Sequence, residues 1–188
     1  MAAAEHDASI TRLLTVGHGT LAADALARLL DGAGVVLVVD VRTAPGSRRN
    51  PHFGRDAMAA WLPESGIGYR WEPDLGGWRS ARADSPHVAL RDKAFRGYAD
   101  HMETPAFLAA ADRLLDDAAG RTTAAMCSES LWWRCHRRLL SDFAVLVRGA
   151  EVLHLGHDGR LAAHEPTAGA RASSGGLVYD AGQADLLR

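Results

Sequence analysis

Residues 35–41 read Val35-Val36-Leu37-Val38-Val39-Asp40-Val41, an almost uninterrupted apolar and mostly β-branched run. A strand that is apolar at successive positions, rather than at alternate ones, is typical of a parallel sheet covered on both faces. An irregular segment with two prolines and three arginines follows from Arg42 to Gly54. The run therefore predicts a central strand of an α/β fold, with polar residues at its carboxyl end.

Strand and helix patterns alternate on both sides of this run, and Thr20 is predicted to cap the first helix. Two short strands after the last helix, turned at His157-Asp158-Gly159, predict a small hairpin. The sequence thus predicts a single three-layer α/β domain over residues 1–166, with a mostly parallel sheet. Residues 167–188 are predicted to be a polar, poorly ordered tail, except around Leu177-Val178-Tyr179. The other predicted strands are 12–16, 67–71, 122–126, 151–155 and 160–165, and the helices are 21–30, 55–62, 95–102, 104–119 and 131–148.

The amino-acid composition limits the classes of protein to which this chain can belong. The 188 residues are 47% hydrophobic and 23% charged, as in ordinary globular domains. No apolar run approaches the roughly 20 residues of a membrane helix, which predicts no membrane insertion. The first ten residues lack the basic and apolar regions of a signal peptide, so a cytoplasmic location is predicted. A net charge of −2 gives no general attraction to nucleic acid.

The segment from Met126 to Arg138 contains both cysteines, Cys127 and Cys135, together with Glu129 and His136. Cys127 is predicted at a strand end before a helix, a position that stabilises a thiolate. We therefore predict Cys127 as a nucleophile or metal ligand, with Glu129 and His136 as acid, base or orienting groups. The alternatives are a small apolar residue at the end of the strand and a core histidine bonded to a backbone carbonyl.

Arginines supply the predicted anion-binding groups, because the planar guanidinium binds phosphate or carboxylate with two hydrogen bonds. Arg42, Arg48 and Arg137 are the candidates, with Asp40 orienting one of them and Ser47 nearby. The alternative is that Asp40 and Arg42 form a structural ion pair that fixes an irregular loop.

A second strand end, Gly17-His18-Gly19-Thr20, carries small residues that let a ligand approach a helix N-terminus, which makes His18 a candidate ligand-binding residue. The long loop from Pro73 to Asp92 contains Gly76, Gly77 and Trp78 and is a candidate lid in which Trp78 covers a planar group. The alternative is a turn with an exposed aromatic residue.

Taken together, these motifs resemble the family described as domain of unknown function 488, over about residues 12–165. The resemblance implies a single α/β domain whose strand-end motifs gather at one pocket, and it implies no settled substrate. It adds Tyr69, Gly76, Gly77 and Tyr98 to the candidate ligand-binding residues. The matching pieces are Thr15-Val16-Gly17-His18, Val39-Asp40-Val41-Arg42, residues 45–53, Gly66-Ile67-Gly68-Tyr69, Leu75-Gly76-Gly77, Phe95-Arg96-Gly97-Tyr98-Ala99, Met126-Cys127-Ser128-Glu129, Cys135-His136-Arg137 and His154.

Three functions remain open from the sequence. The first is a small enzyme acting on an anionic substrate such as a nucleotide, a nucleic-acid end or a phosphometabolite. The second is a non-catalytic nucleic-acid or nucleotide-binding module in which tryptophans stack on bases. The third is a mononuclear metal protein using Cys127, Cys135 and His136, although the last two would diverge by about 100° on an ideal helix. No cofactor or oligomeric state is predicted.

Overall fold

A six-stranded sheet forms the centre of the computed structural model, which describes residues 10–46, 48–174 and 176–180. In chain order the elements are β1 (Arg12–Gly17), α1 (Ala23–Gly32), β2 (Leu37–Asp40), α2 (Arg55–Glu64), β3 (Gly68–Trp71), α3 (Lys93–His101), α4 (Pro105–Gly120), β4 (Thr123–Cys127), α5 (Arg137–Leu146), β5 (Glu151–Leu155), β6 (Leu161–Ala163), β7 (Ala170–Ser173) and β8 (Gly176–Tyr179). The sheet order is β3-β2-β4-β1-β5-β6, and only its last pair is antiparallel. The predicted α/β class and mostly parallel sheet are confirmed.

The apolar run that opens β2 is buried along the whole strand. Val38 and Val39, whose side chains point to opposite faces, are both 0% exposed. β2 lies between β3 and β4, so its backbone groups are paired on both sides. The prediction of a central strand is confirmed, although the strand is shorter than the apolar run.

Helices cover both faces of the sheet and make three layers. On one face, α1 and α2 pack Leu26 and Met58 against strand residues that include Val38. On the other face, α3, α4 and α5 contribute Phe107, Phe143 and their neighbours to a second core. The layered arrangement leaves the carboxyl ends of the parallel strands as the open edge where loops can form a site.

The predicted helix from residue 131 to 148 is wrong in its first part. A 3-10 turn occupies Trp132–Arg134, and α5 begins only at Arg137. Cys135 has extended backbone angles, φ −121° and ψ 153°, which interrupt any helix at that point. Trp132 stacks on His154 of β5, with ring centroids 4.0 Å apart, instead of joining a helical stripe. This contact with a distant strand explains why local periodicity gave the wrong boundary.

Two further predictions differ at the ends of elements. The predicted Thr20 cap does not form, because α1 starts at Ala23 behind Ala22, which makes no side-chain cap bond. The segment predicted as a polar tail contains the two-stranded sheet β7-β8, since Tyr179 is buried at 0% exposure and bonds to Asp142. The predicted β5-β6 hairpin is confirmed.

Candidate functional site

Three neighbouring strands, β2, β4 and β1, end at the same edge of the sheet and bring their terminal residues together. Backbone bonds continue past the strands: His18 N–H donates to the carbonyl of Cys127 over 3.0 Å, and Val41 N–H donates to that of Met126 over 2.9 Å. The loops that follow β1, β2 and β4 therefore begin in fixed register with one another. Their first residues surround a common space.

That space is a pocket of about 290 Å³. The imidazole of His18, the guanidinium of Arg42, and the side chains of Cys127 and His136 all line it. We call it the strand-end pocket. Its lining residues are His18, Gly19, Arg42, Thr43, Ala44, Gly46, Asn50, Gly77, Trp78, Cys127, Ser128 and His136.

Asp40 and Arg42 form a buried ion pair with two parallel hydrogen bonds. Arg42 Nε donates to Asp40 Oδ1 over 2.7 Å, and Arg42 Nη2 donates to Oδ2 over 2.5 Å. Tyr69 donates its hydroxyl to Oδ2 over 2.7 Å, and burial with the nearby carboxylate raises the pKa of that phenol. Asp40 is 0% exposed, so its carboxylate bonds to groups of the protein and not to solvent. The pair fixes the plane of the guanidinium before any ligand arrives.

The tautomer of His18 follows from its two partners. Its Nδ1 lies 2.9 Å from the carbonyl oxygen of Gly19, which can only accept, so Nδ1 carries the proton. Its Nε2 lies 3.2 Å from Arg42 Nη1, which can only donate, so Nε2 accepts. Burial lowers the pKa of His18 to about 4, and the Arg42 charge acts in the same direction. His18 is thus a neutral imidazole at pH 7.

Arg42 keeps one donor for a ligand. Of the five N–H bonds of a guanidinium, one on Nε and one on Nη2 go to Asp40, the second on Nη2 goes to the Phe53 carbonyl, and one on Nη1 goes to His18. Within the part of the chain that the structure describes, the second Nη1 hydrogen has no acceptor. Because Arg42 lines the pocket, that N–H is available to an anionic group.

Cys127 lies at the end of β4, and its sulfur is close to the sulfur of Cys135 and to Nδ1 of His136. A hydrogen bond from the Cys135 thiol lowers the pKa of Cys127 well below its usual value, against an opposing effect of burial. The charges of His136 and Arg137 act in the same direction as the hydrogen bond. The same contact raises the pKa of Cys135. The contact between the two sulfurs therefore favours the thiolate at Cys127 and the thiol at Cys135.

His136 is oriented by three neighbours. Its Nε2 donates to the carbonyl of Val41 over 2.9 Å, which leaves Nδ1 facing the sulfurs, 3.9 Å from Cys127 Sγ and 3.6 Å from Cys135 Sγ. The main chain of Gly77 packs against the ring, and Tyr98 packs edge-on against it at 5.1 Å between centroids. The imidazole therefore has a single orientation with respect to Cys127.

A family model described as Domain of unknown function DUF488 matches residues 22–144, which is more than half of the chain. The chain belongs to this family. No curated protein and no solved structure matches it. The DUF488 match includes Asp40, Arg42, Cys127 and His136, whereas His18 precedes it. The resemblance stated from the sequence motifs is confirmed.

The pocket of this DUF488 protein contains only some of the residues predicted for it. His18, Arg42, Gly77, Cys127 and His136 line it. Asp40, Tyr69, Gly76 and Tyr98 lie behind the lining: Gly76 packs closely on Thr43, and Tyr98 donates its hydroxyl to the Leu75 carbonyl over 3.1 Å.

Four other predicted residues are placed elsewhere or not described. Glu129 and Arg48 are exposed, and neither lines the pocket. The Glu129 carboxylate accepts from Leu131 N–H over 3.2 Å and so shapes the loop after β4. Arg137 is 1% exposed and lies beneath that loop. Ser47 lies outside the described residues.

Sequence reasoning missed several lining residues, among them Thr43, Ala44, Asn50 and Ser128. Ser128 follows Cys127 directly and Thr43 follows Arg42, so adjacency to a predicted strand-end residue was the available signal. Thr43 Oγ1 also accepts from Trp78 N–H over 3.2 Å, which attaches the Gly76-Gly77-Trp78 loop to the pocket.

No helix within residues 10–46, 48–174 and 176–180 combines the length and apolar character needed to span a bilayer. The two cysteines are free thiols.

Proposed function

We propose that this protein is an enzyme that binds an anionic small molecule in the strand-end pocket and reacts with it through the thiolate of Cys127. The observation that carries the proposal is that two unlike groups line one pocket: a guanidinium oriented by Asp40 beside His18, and the Cys127–His136 pair. Nucleotides and phosphorylated metabolites are the substrate class that fits, since both present an anionic group beside an electrophilic centre.

The anion-binding part of the strand-end pocket would hold its ligand through hydrogen-bond donors more than through net positive charge. The positive charge of Arg42 is largely compensated by Asp40, so the remaining Nη1 N–H acts as a fixed donor. Thr43, Asn50 and Ser128 add polar groups around it. Such a site binds a phosphate or carboxylate oxygen through the fixed direction of its hydrogen bonds. It needs little net positive charge, in keeping with a chain whose net charge is −2.

At the reacting end, Cys127 supplies the electron pair for a new bond to the electrophilic carbon or phosphorus, and the leaving group departs with the old bonding pair. The Cys135 thiol favours the deprotonated form of this sulfur. His136 Nδ1, 3.9 Å from the sulfur, accepts the proton that Cys127 gives up before attack. Glu129 acts indirectly, by shaping the loop after β4. We place this chemistry in the cytoplasm, where thiols stay reduced.

The stacking surface needed by a nucleic-acid module is only partly present. Trp78 and Trp133 are 78% and 49% exposed, but Trp132 is stacked on His154 and Trp71 bonds to the Arg42 carbonyl. An enzyme pocket accounts for more of the buried polar groups than a base-stacking surface does.

The test is site-resolved alkylation with iodoacetamide, followed by mass spectrometry, with and without inorganic phosphate. We expect Cys127 to be labelled near neutral pH faster than Cys135, and phosphate to slow its labelling. Cys127→Ser should abolish the fast phase, and Cys135→Ala should slow it because the donor to the thiolate is lost. Labelling of both cysteines only after unfolding would overturn the proposal.

A metal centre is the second candidate, because three soft ligand atoms converge. Cys127 Sγ, Cys135 Sγ and His136 Nδ1 all lie within 4.8 Å of one another. For Zn–S near 2.3 Å and Zn–N near 2.0–2.1 Å, the S···N edge of a tetrahedron is about 3.6 Å. The two S···N distances are 3.9 Å and 3.6 Å. The extended conformation of Cys135 removes the divergence expected on a regular helix.

Two features support an open metal site over a closed structural one. The His136 Nε2–H bond to Val41 is the kind of outer contact that orients a metal-bound imidazole. Two of the three ligands also line the pocket, so a fourth coordination position would face the bound anion. In that case Cys127 is a ligand and not a nucleophile.

Cobalt titration separates the two candidates. Chelator-treated protein that binds one equivalent of Co²⁺ and gains sulfur-to-cobalt absorption, lost in Cys127→Ser and Cys135→Ser, would establish the metal centre. Wild-type protein whose Cys127 is labelled equally fast before and after chelation, and which shows no such absorption, would establish the nucleophile.

A further inference from the structure

A line of buried polar side chains runs behind the strand-end pocket on the α5 side of the sheet. Asp142 Oδ1 lies 2.8 Å from His164 Nε2, His164 Nδ1 lies 3.0 Å from His154 Nε2, and His154 Nδ1 lies 2.6 Å from the hydroxyl of Thr15. Arg137 Nη1 donates to that hydroxyl over 3.4 Å. Their exposures run from 0% for Asp142 and Thr15 to 8% for His164.

For imidazoles that carry one proton each, the two ends of this line fix the direction of every hydrogen bond in it. Arg137 can only donate and the Asp142 carboxylate can only accept. With neutral imidazoles, Thr15 must then donate to His154, His154 to His164, and His164 to Asp142. Burial lowers the pKa of His154 to about 3, which keeps its ring neutral. Both rings are therefore protonated on Nε2 and bare on Nδ1.

Arg137 is a buried cation without an acidic partner. Among the described residues no carboxylate forms an ion pair with it, and its Nε makes no hydrogen bond. Its Nη2 donates to the backbone carbonyl of Glu129, two residues after Cys127. Gly17 lets the guanidinium approach so closely, since an added Cβ would lie 2.7 Å from Nη2. The line of side chains thus ends on the loop that carries Cys127.

We propose that the chain Asp142–His164–His154–Thr15 fixes the Arg137 guanidinium against the 128–131 loop, and that these four are positioning residues for the strand-end pocket. The two ends provide opposite charges to the buried line, and its last hydrogen bond holds Nη1 of Arg137 while Nη2 donates to the Glu129 carbonyl. The register of the sheet supports this, because Thr15 and His154 are paired neighbours on β1 and β5. The inference rests on the proposed function only in taking Cys127 as the reacting group.

The first test reads the hydrogen-bond direction by ¹⁵N NMR of the histidine rings in the full chain. We expect His154 and His164 both to be neutral, with the proton on Nε2 and a hydrogen-bonded, unprotonated Nδ1. A proton on Nδ1 of either ring at pH 7 would overturn the directed chain. This result does not depend on whether Cys127 reacts.

The second test measures amide hydrogen exchange of residues 128–131. Thr15→Val removes the hydroxyl at nearly constant volume, and we expect exchange in this loop to rise by roughly two- to tenfold, as for the loss of one hydrogen bond. Thr15→Ser, which restores the hydroxyl, should return exchange to the wild-type rate, and Asp142→Asn should raise it.

Tyr179→Phe is the matched control. It removes a 2.9 Å bond to the other oxygen of Asp142 but leaves the line to Arg137 intact, so loop exchange should stay unchanged. Equal loop exchange in wild type, Thr15→Val and Asp142→Asn, with each variant folded by circular dichroism, would overturn the positioning role. If Cys127 does not react while the loop shows the expected exchange pattern, the proposed enzyme is refuted and the positioning network stands.

Discussion

The main chain of Gly77 lies directly against the imidazole of His136, so that a Cβ atom added to Gly77 would be 2.6 Å from Cγ of the ring. The loop after β3 and the start of α5 are therefore in contact at a position that leaves no room for a side chain. This contact, the Val41 carbonyl and Tyr98 together hold the His136 ring beside Cys127.

Gly77→Ala should displace His136. We expect a loss of about 1–3 kcal/mol in the free energy of unfolding, because the ring or the loop must move. The ¹⁵N signal of His136 Nε2 should also shift as its bond to Val41 weakens. Gly120→Ala is the control, since an added Cβ there meets nothing within 4 Å. Urea unfolding of the two variants would contradict the contact if both lost the same stability.

The Asp40–Arg42 pair should be far more costly to break than the hydrogen bond that Tyr69 adds to it. Asp40→Asn leaves the Arg42 charge buried without its partner, and we expect a loss of about 3–5 kcal/mol in unfolding free energy. Tyr69→Phe removes one hydrogen bond and should cost about 1 kcal/mol. Chemical denaturation measures both, and similar losses in the two variants would argue against a tightly paired Arg42.

Stability should fall as the pH drops below 6.5, because His18 and His154 are neutral in the folded protein. Their pKa values are lowered from 6.5 to about 4 and about 3, so the unfolded chain binds more protons between those values and 6.5. Each ring should cost the folded state on the order of 1–2 kcal/mol at pH 5 relative to pH 7. His154→Gln should flatten this dependence in urea unfolding at the two pH values; an unchanged slope would mean that His154 is protonated when folded.

Tyr98 should support the pocket without touching the ligand. Tyr98→Phe loses the bond to the Leu75 carbonyl but keeps the edge contact with His136, so we expect a stability loss of about 1 kcal/mol. Protection of Cys127 by phosphate against iodoacetamide should be unchanged. Loss of that protection in a stably folded variant would restore Tyr98 to the ligand-binding residues that the sequence motifs predict.

The central part of the fold was predictable because it depends on local pattern. The apolar run of β2 and the helix from Pro105, capped by Thr104 as its residue types indicate, need no distant partner to be recognised. The same holds for the strand ends at His18, Arg42 and Cys127, since the carboxyl ends of neighbouring parallel strands meet at one edge. These residues do line one pocket.

What sequence alone could not provide are placements set by distant contacts. The turn before α5 accompanies the stacking of Trp132 on His154 of β5, and Arg137, which follows that turn, is buried in the interior. The convergence of Cys135 with His136 likewise follows from one extended residue and not from helical spacing. The motifs predicted Tyr69 and Tyr98 as ligand-binding residues, but the pattern did not indicate their partners, Asp40 and Leu75, which are more than twenty positions away.

The β7-β8 hairpin makes the closure of the core around Asp142 a late step in folding. Asp142 receives its hydrogen bonds from His164, Thr167 and Tyr179, and Tyr179 in turn accepts from the Ala89 amide through its carbonyl. A nascent chain that has emerged from the ribosome only as far as α5 already carries this acid but none of those three donors. The interior on that side can therefore close only when almost the last described residue has been synthesised, and until then Asp142 lacks the partners that offset its burial.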